Sequence, residues 1–286
     1  LKNNENIEAE ILFVRGGVLA GKKDISFKQN QEEDEDYVHQ FIKQFYLSCD
    51  KIIPEFIFVN VKIDKERNKK SEEELKLVFA KIIKIRNPRT NIQKQLMELA
   101  IKNASLNSKI SDYRKQKNKD VLEELKKMLS LPKLPSIIHA FDVSTIQGSF
   151  NVGASVCFVD AKPSKKDYRK FNIKSIQTQN DCRMIEEIVY RRYRSALEKD
   201  EALPDLIIID GGKAQLNSAK KALNTLNLKI PFIGLAKKEE EIFIPNKKES
   251  LKFDKNIAPM RLLIRARDEV HRFVVNFHRK KRDALN

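Results

Sequence analysis

Cysteine is too scarce and too scattered here to hold a fold together. Cys49, Cys157 and Cys182 are odd in number and form no CxxC pair. Neither a disulfide framework nor a zinc site is expected from them. The expected compartment is therefore reducing and cytoplasmic. Long apolar runs are also missing. None approaches the ~20 residues of a membrane span, and Leu1 to Glu10 is too polar for a secretory leader. No zinc-finger, RRM or basic-zipper spacing is present, which argues against base-specific readout of nucleic acid. Acids are outnumbered, with 40 Asp+Glu against 56 Lys+Arg and a net charge of +16. Such an excess favours a polyanionic partner, nucleic acid first and an anionic membrane surface second. A Lys-rich proteome would give the same excess with no partner at all.

What is present is enough apolar material to fold. Hydrophobic residues make up 41% of 286, sufficient for one large domain or two modest ones. The second half reads clearly. Ser136–Asp142, Ala154–Asp160 and Asp167–Ile173 suit three strands. Met184, Ile185, Ile188, Val189 and Leu197 recur at helical spacing. Leu206-Ile-Ile-Ile-Asp210 reads as a buried parallel strand, and Gly211-Gly212 ends it before a helix. Ile230–Leu235 is another buried strand, Glu241–Ile244 opens a hairpin, and a helix runs from about Pro259 to Arg282. Three strands in a meander, followed by strand-helix units with right-handed crossovers, give a mixed five-stranded sheet flanked by helices. That α/β plan is RNase H-like.

The first half echoes this order. Ala9–Arg15 resembles Ala154–Asp160, and Gly21–Phe27 resembles Lys165–Phe171. Pro54–Asn60 parallels Pro204–Asp210. Strand Lys81–Ile85 and a helix from Asn91 follow in the same sequence. Either the first half is a degenerate copy, or α/β units look alike by chance. Asp120 reads as the N-cap of a connecting helix that Pro132 stops. The expected organisation is an α/β unit over 1–115, a connecting helix and linker over 116–135, and the main domain over 136–286.

Two carboxylates close apolar strands, Asp142 after Ile137-Ile-His-Ala-Phe and Asp210 after Leu206-Ile-Ile-Ile. A carboxylate at the end of a buried strand is costly unless compensated. In the topology above, these strands are parallel neighbours, so their tips bring the two acids together. A hard divalent cation such as Mg²⁺ relieves that repulsion and can activate water for phosphodiester hydrolysis. Taken singly, each Asp is equally a turn or cap residue. His271 lies beside the apolar stripe Leu263, Ala266, Val270, Val274 and Phe277, where a histidine is more often packed than ligating.

Several segments resemble one family. Phe141-Asp-Val-Ser-Thr-Ile-Gln-Gly148 is similar to the FDISxxQG segment of the UvrC family of excinuclease subunits. Lys166–Ile173 resembles its (S/K)DYRRFNI segment and Leu203–Leu216 its LPDLILIDGGKGQL segment. Gly234–Lys237 and Arg267–Phe273 resemble GLAK and RDEAHRF, and Phe13–Gly17 resembles FVRGG. The resemblance implies an aspartate-aspartate-histidine site at Asp142, Asp210 and His271, with Asp181 as a further acid. The segment around Asp181 departs from the family's DDYAAM, reading Asn180-Asp-Cys-Arg-Met-Ile185. Thr145 stands where the family usually has His, and Ala214 where it usually has Gly. The histidine shifts the metal preference from Mg²⁺ toward Mn²⁺. The implied activity is a metal-dependent endonuclease of nucleotide excision repair that cuts damaged double-stranded DNA 5′ to the lesion. The family's GIY-YIG domain, its helix-hairpin-helix clamp and its segment for docking a UvrB-type damage-loading protein are not in this sequence. In the echoed first half, Asn60 aligns with Asp210 and Ala104 with His271, so that half should not cut DNA.

Basic clusters supply candidate phosphate contacts. Lys165, Lys166, Arg169, Lys170 and Lys174 form one run, and Arg267 and Arg272 lie in the basic final helix. Lys213 begins a helix and could hold a phosphate at its N-terminus. Each cluster is also readable as an ordinary solvated face. Two competing functions stay open: a catalytically silent DNA-binding scaffold, and another RNase H-like nuclease such as a resolvase or an RNA–DNA hybrid nuclease.

Overall fold

A computed structural model describes residues 2–3, 6–28, 37–47, 52–146, 150–173, 180–237 and 239–283. Its backbone divides into two compact units, Leu1–Tyr113 and Arg114–Asn286.

The first unit opens with β1 (Lys2–Asn3), β2 (Asn6–Arg15) and β3 (Val18–Lys28), an antiparallel sheet in that order. Gly16 and Gly17 join β2 to β3 at φ +54° and +78°. A two-residue hairpin turn of this kind needs positive φ at both positions, which glycine adopts without steric cost. Next come α1 (Tyr37–Leu47), β4 (Phe56–Phe58), α2 (Lys65–Phe79), β5 (Lys84–Arg86) and the first part of α3 (Asn91–Leu129), whose residues from Arg114 on belong to the second unit. Strands β4 and β5 pair in parallel. Ile42, Phe45 and Tyr46 of α1 share a core with Leu75 of α2, Ile83 and Ile85, and Ile11, Phe13 and Ile25 pack against it.

The second unit contains β6 (Ile137–Ile146), β7 (Phe150–Val159), β8 (Lys162–Pro163), a 3₁₀ turn (Lys165–Asp167), β9 (Arg169–Ile173) and α4 (Asp181–Glu198). It continues with β10 (Leu206–Asp210), α5 (Lys213–Thr225), β11 (Phe232–Ala236), β12 (Glu241–Phe243) and α6 (Ala258–Asp283). The sheet runs β12-β11-β10-β6-β7-β8, with β9 also on β7. The five expected strands are there, in an antiparallel meander β6-β7-β9 and a parallel set β6-β10-β11. Short β8 and β12 extend them. This is the RNase H-like mixed sheet.

Strand periodicity of two sorts the core into two layers. Ile138, Ala140, Leu206 and Ile208 face α6 (Met260, Leu263, Ala266, Val270, Val274) and the end of α3 (Leu122, Leu125, Leu129). Phe141, Ile207 and Ile209 face α4 and α5. The first unit repeats the connectivity: an antiparallel pair, a helix, a strand, a helix and a parallel strand.

Two local readings need correction. Strand β6 does not end at Asp142. It continues to Ile146 because β7 still pairs with it after the ladder to β10 stops at Phe141. Nor does Asp120 cap a helix. Helix α3 runs unbroken for 39 residues, and Asp120 accepts a 2.8 Å hydrogen bond from Gln116 one turn earlier. Among the described residues, no helix is long and apolar enough to cross a membrane.

Candidate metal centre

The parallel register sets the site. Ile209 lies opposite Phe141, so the next residues, Asp210 and Asp142, are neighbours across the ladder. Alternation then points both toward α6, on the side of Ile208 and Ala140. From α6, His271 follows the buried Val270. Its Nδ1 is 2.9 Å from Asp142 Oδ2 and 3.9 Å from Asp210 Oδ2. One ligand atom from each of the three residues lies within 4.8 Å of the others. Among the described residues, this is the one such trio of His, Cys, Asp or Glu.

Burial grades across the trio. Asp142 is buried, Asp210 is partly covered and His271 is exposed. Burial pushes the Asp142 carboxyl above the usual range, against the opposing hydrogen bond from His271. Asp142 Oδ1 also accepts from the Val143 amide at 2.7 Å. Asp210 is pushed up to about 6, first by burial and then by the charge of Asp142. Two largely desolvated carboxylates, the charge of one raising the pKa of the other, are unstable as a pair of anions. A divalent cation is the natural complement of two such oxygens and an imidazole, so the residues fit a metal.

The loop after Asp210 is tightly constrained. Gly211 has φ +148°, where a Cβ would meet the Gln215 side chain at 2.8 Å. On β11, a Cβ at Gly234 would stand 2.9 Å from the Gly211 carbonyl oxygen. Gly234 belongs to the GLAK segment, but its sequence context alone does not reveal this backbone approach.

The other candidates are placed unevenly. Asp181 is the first residue of α4, on the opposite layer, behind the cap Asn180, whose Oδ1 accepts from Arg183 N at 3.0 Å. It lies outside the trio, although its charge helps raise the Asp142 pKa. Lys165 and Lys166 are exposed on the 3₁₀ turn. Arg169 donates to the carbonyls of Lys166 and Tyr168. Lys170 is exposed, with its Nζ 5.3 Å from the Phe273 ring and 5.1 Å from that of Phe277. Arg272 is exposed and bonded to Glu269 at 2.7 Å. Lys174 lies outside the described residues.

Two basic residues make contacts within the fold. Lys213 is exposed, donates to the Lys248 carbonyl and sits over the Phe243 ring. Arg267 is 3% exposed and clamped by Glu240 and Asp268. It joins α6 to the β11–β12 turn, where Glu240 has φ +54°. Sequence reasoning missed this clamp because Glu240 sits in a charged run, Lys237-Lys-Glu-Glu-Glu241, which reads as solvated surface.

Comparison with known proteins agrees with this architecture. A family model for the UvrC RNAse H endonuclease domain matches residues 126–275, and one for the UvrC Ribonuclease H-like domain matches residues 2–109. A UvrABC system protein C from Leptospira biflexa is 38% identical over 285 residues, 98% of this chain and 46% of the relative. One from Methanosarcina mazei is 37% identical over 96% of this chain and 50% of the relative. One from Cytophaga hutchinsonii is 44% identical over 73% of this chain and 36% of the relative. The chain thus spans about half the length, or less, of the curated relatives it matches. Among solved structures, Ciona intestinalis Endonuclease V with inosine-containing DNA aligns at 16% identity and TM-score 0.31, covering 46% of this chain and 58% of that one.

Proposed function

Because the chain belongs to the UvrC family, we propose that its second unit is a divalent-metal-dependent endonuclease of nucleotide excision repair, making the incision 5′ to a lesion. The observation that carries this reading is the meeting of Asp142, Asp210 and His271 across 130 residues of sequence. Asp142, Asp210 and His271 would hold Mg²⁺ or Mn²⁺. A bound cation of this kind supplies Lewis acidity, which makes water nucleophilic at neutral pH and stabilises the leaving oxygen.

The protein's own groups organise the rest. Asp142 is held from two sides, by the Val143 amide and by His271. A carboxylate can only accept, so His271 Nδ1 donates to it. That bond fixes the ring and leaves Nε2 free to ligate or to take a proton from water. Lys165, Lys166, Arg169, Lys170 and Arg272 would position the phosphate backbone. Lys170 can give up a weak cation–π contact for a phosphate with little loss, since exposed contacts of that type are worth roughly 0.5–1 kcal/mol. Damaged duplex DNA is the proposed substrate, and a UvrB-type loading protein, docked through a segment outside this chain, the proposed partner. The proposed place of action is the cytoplasm.

The test is a nicking assay on ultraviolet-damaged plasmid with Mg²⁺ and with Mn²⁺. Asp142→Ala, Asp210→Ala and His271→Ala should each lower the rate by about 100-fold or more, the scale of losing a group that handles protons or water in the transition state. Asp181→Ala should cost less, because its carboxylate stands outside the trio. Wild-type nicking by Asp210→Ala overturns the assignment. Preference for an RNA–DNA hybrid over damaged duplex would move the chain to a different substrate class.

A further inference from the structure

Helix α3 carries an apolar stripe that its own unit covers only along one edge. Ile92, Leu99, Leu106 and Tyr113 recur every seven residues, and Leu96, Asn103 and Ile110 fall four positions after the first three. Together they form three heptads with knobs at alternating three- and four-residue steps, the period that suits a partner helix. The stripe spans 22 residues, about 32 Å at 1.5 Å per residue. Ile92, Leu99, Leu106, Ile110 and Tyr113 lie open, from 41% exposed at Leu99 to 70% at Ile92, and Leu96 is half-buried. The helix meets its own unit along one edge of the stripe, where Ala104 is buried and Asn103, itself a stripe position, and Asn107 bond Glu10 and Asp24 at 2.8 Å. Contiguous exposed apolar surface of this kind marks an interaction site.

The flanking charges say what covers it. Lys102 and Lys109 border the stripe, and both are exposed. Of the acids of this stretch, Asp112 falls on the far side of the helical wheel, and Glu98 lies just outside the lysine edge, one turn before Lys102. A second copy is disfavoured in either orientation. Antiparallel pairing sets these lysines against each other, and parallel pairing sets Lys109 against Arg114. Like charges at such positions select against self-pairing. We propose that this stripe docks an amphipathic helix of a partner protein, with apolar residues at heptad spacing and glutamate or aspartate along the edges of its apolar face. This surface is independent of the metal centre and does not rest on the reading of that site.

The probe is a synthetic 24-residue helix with Ile and Leu at the core positions and Glu at the flanking ones, titrated by fluorescence anisotropy against the 286-residue chain. The Glu peptide should bind, and weaken as salt rises. The same peptide with Lys at the flanks should bind at least about tenfold more weakly, the usual reach of charge-based pairing selectivity across a few ion pairs. Leu99→Asp with Leu106→Asp should abolish binding while the melting temperature stays within a few degrees, because both side chains are already exposed. Equal binding of the two peptides, or none, overturns the proposal. So does sedimentation showing that the wild type self-associates through Leu99 and Leu106, or flotation with vesicles rich in phosphatidylglycerol that the double variant loses. Those last two outcomes would name a second copy or a lipid surface as the occupant.

Discussion

His139 stands under the sheet, its ring 5.9 Å from that of Tyr193 and nearly parallel to it. Its Nδ1 is 3.1 Å from the Tyr193 hydroxyl. Burial, aided by the charge of Arg192, holds its pKa down to about 3. The unfolded value is near 6.5. A histidine with a depressed folded pKa stays neutral in the native state while the unfolded state takes up a proton. It therefore stabilises the fold above about pH 6.5, and that contribution is lost as pH falls toward 3, at about 1.4 kcal/mol per unit. Urea unfolding at pH 7 and pH 5 should show wild type losing about 2 kcal/mol more than His139→Gln. Equal losses would mean that the ring is already protonated or solvated. The same scale shows what sequence alone can reveal. Asp142 and Asp210 were legible because a carboxylate interrupts an apolar strand, a local signal. His271 needed the motif, since a polar residue beside an apolar helical stripe is ordinary. The burial of Arg267 was invisible, because its partner Glu240 lies 27 residues upstream on a turn.

The Arg267 clamp matters at the scale of elements, since it ties α6 to the β11–β12 turn one helical turn before His271. The guanidinium is almost fully buried, and Glu240 is only partly so. Removing one side of a buried pair leaves the other charge uncompensated, at a cost of about 3 kcal/mol. Arg267→Met should lose about that much in denaturant titration. On the proposed function, it should nevertheless leave the salt dependence of DNA binding unchanged, because the guanidinium is already held inside the fold by Glu240 and Asp268. Lys170→Ala should do the opposite, with stability nearly intact and the slope of log K against log salt shallower by about 0.9. A shallower slope for Arg267→Met would return that residue to the DNA surface. The element order of the second half was readable from periodicity, because period-two strands and period-3.6 helices alternate there, whereas the polar helix α2 between β4 and β5 of the first half was not read. The long continuity of α3 was not. Asp120 looked like a cap, and nothing short of the hydrogen bonding around it distinguishes a cap from a surface residue in mid-helix.

The whole chain divides at Tyr113 and Arg114, inside a helix rather than in a loop. This placement has an energetic reason. Leu122, Leu125 and Leu129 at the end of α3 are buried in the layer shared with Val270, Ala266 and Ile208. Each fully buried leucine contributes roughly 1.5–3 kcal/mol, so the three together supply about 5–9, against a total stability of about 5–15 for a typical domain. The stretch read as a connector is thus a wall of the second unit's core. Two fragments test this. Residues 114–286, keeping the last four turns of α3, should unfold cooperatively in a thermal melt followed by circular dichroism. Residues 131–286, cut just after that helix, should bind hydrophobic dyes and show no sharp transition, although they retain every strand of the sheet and all three residues of the metal centre. The comparison also weighs the two halves of the protein. If 114–286 melts cleanly, the second unit needs nothing from the first to fold. Equal melting temperatures for the two fragments would show that α3 is dispensable and that the sheet is closed on the α6 side by α6 alone.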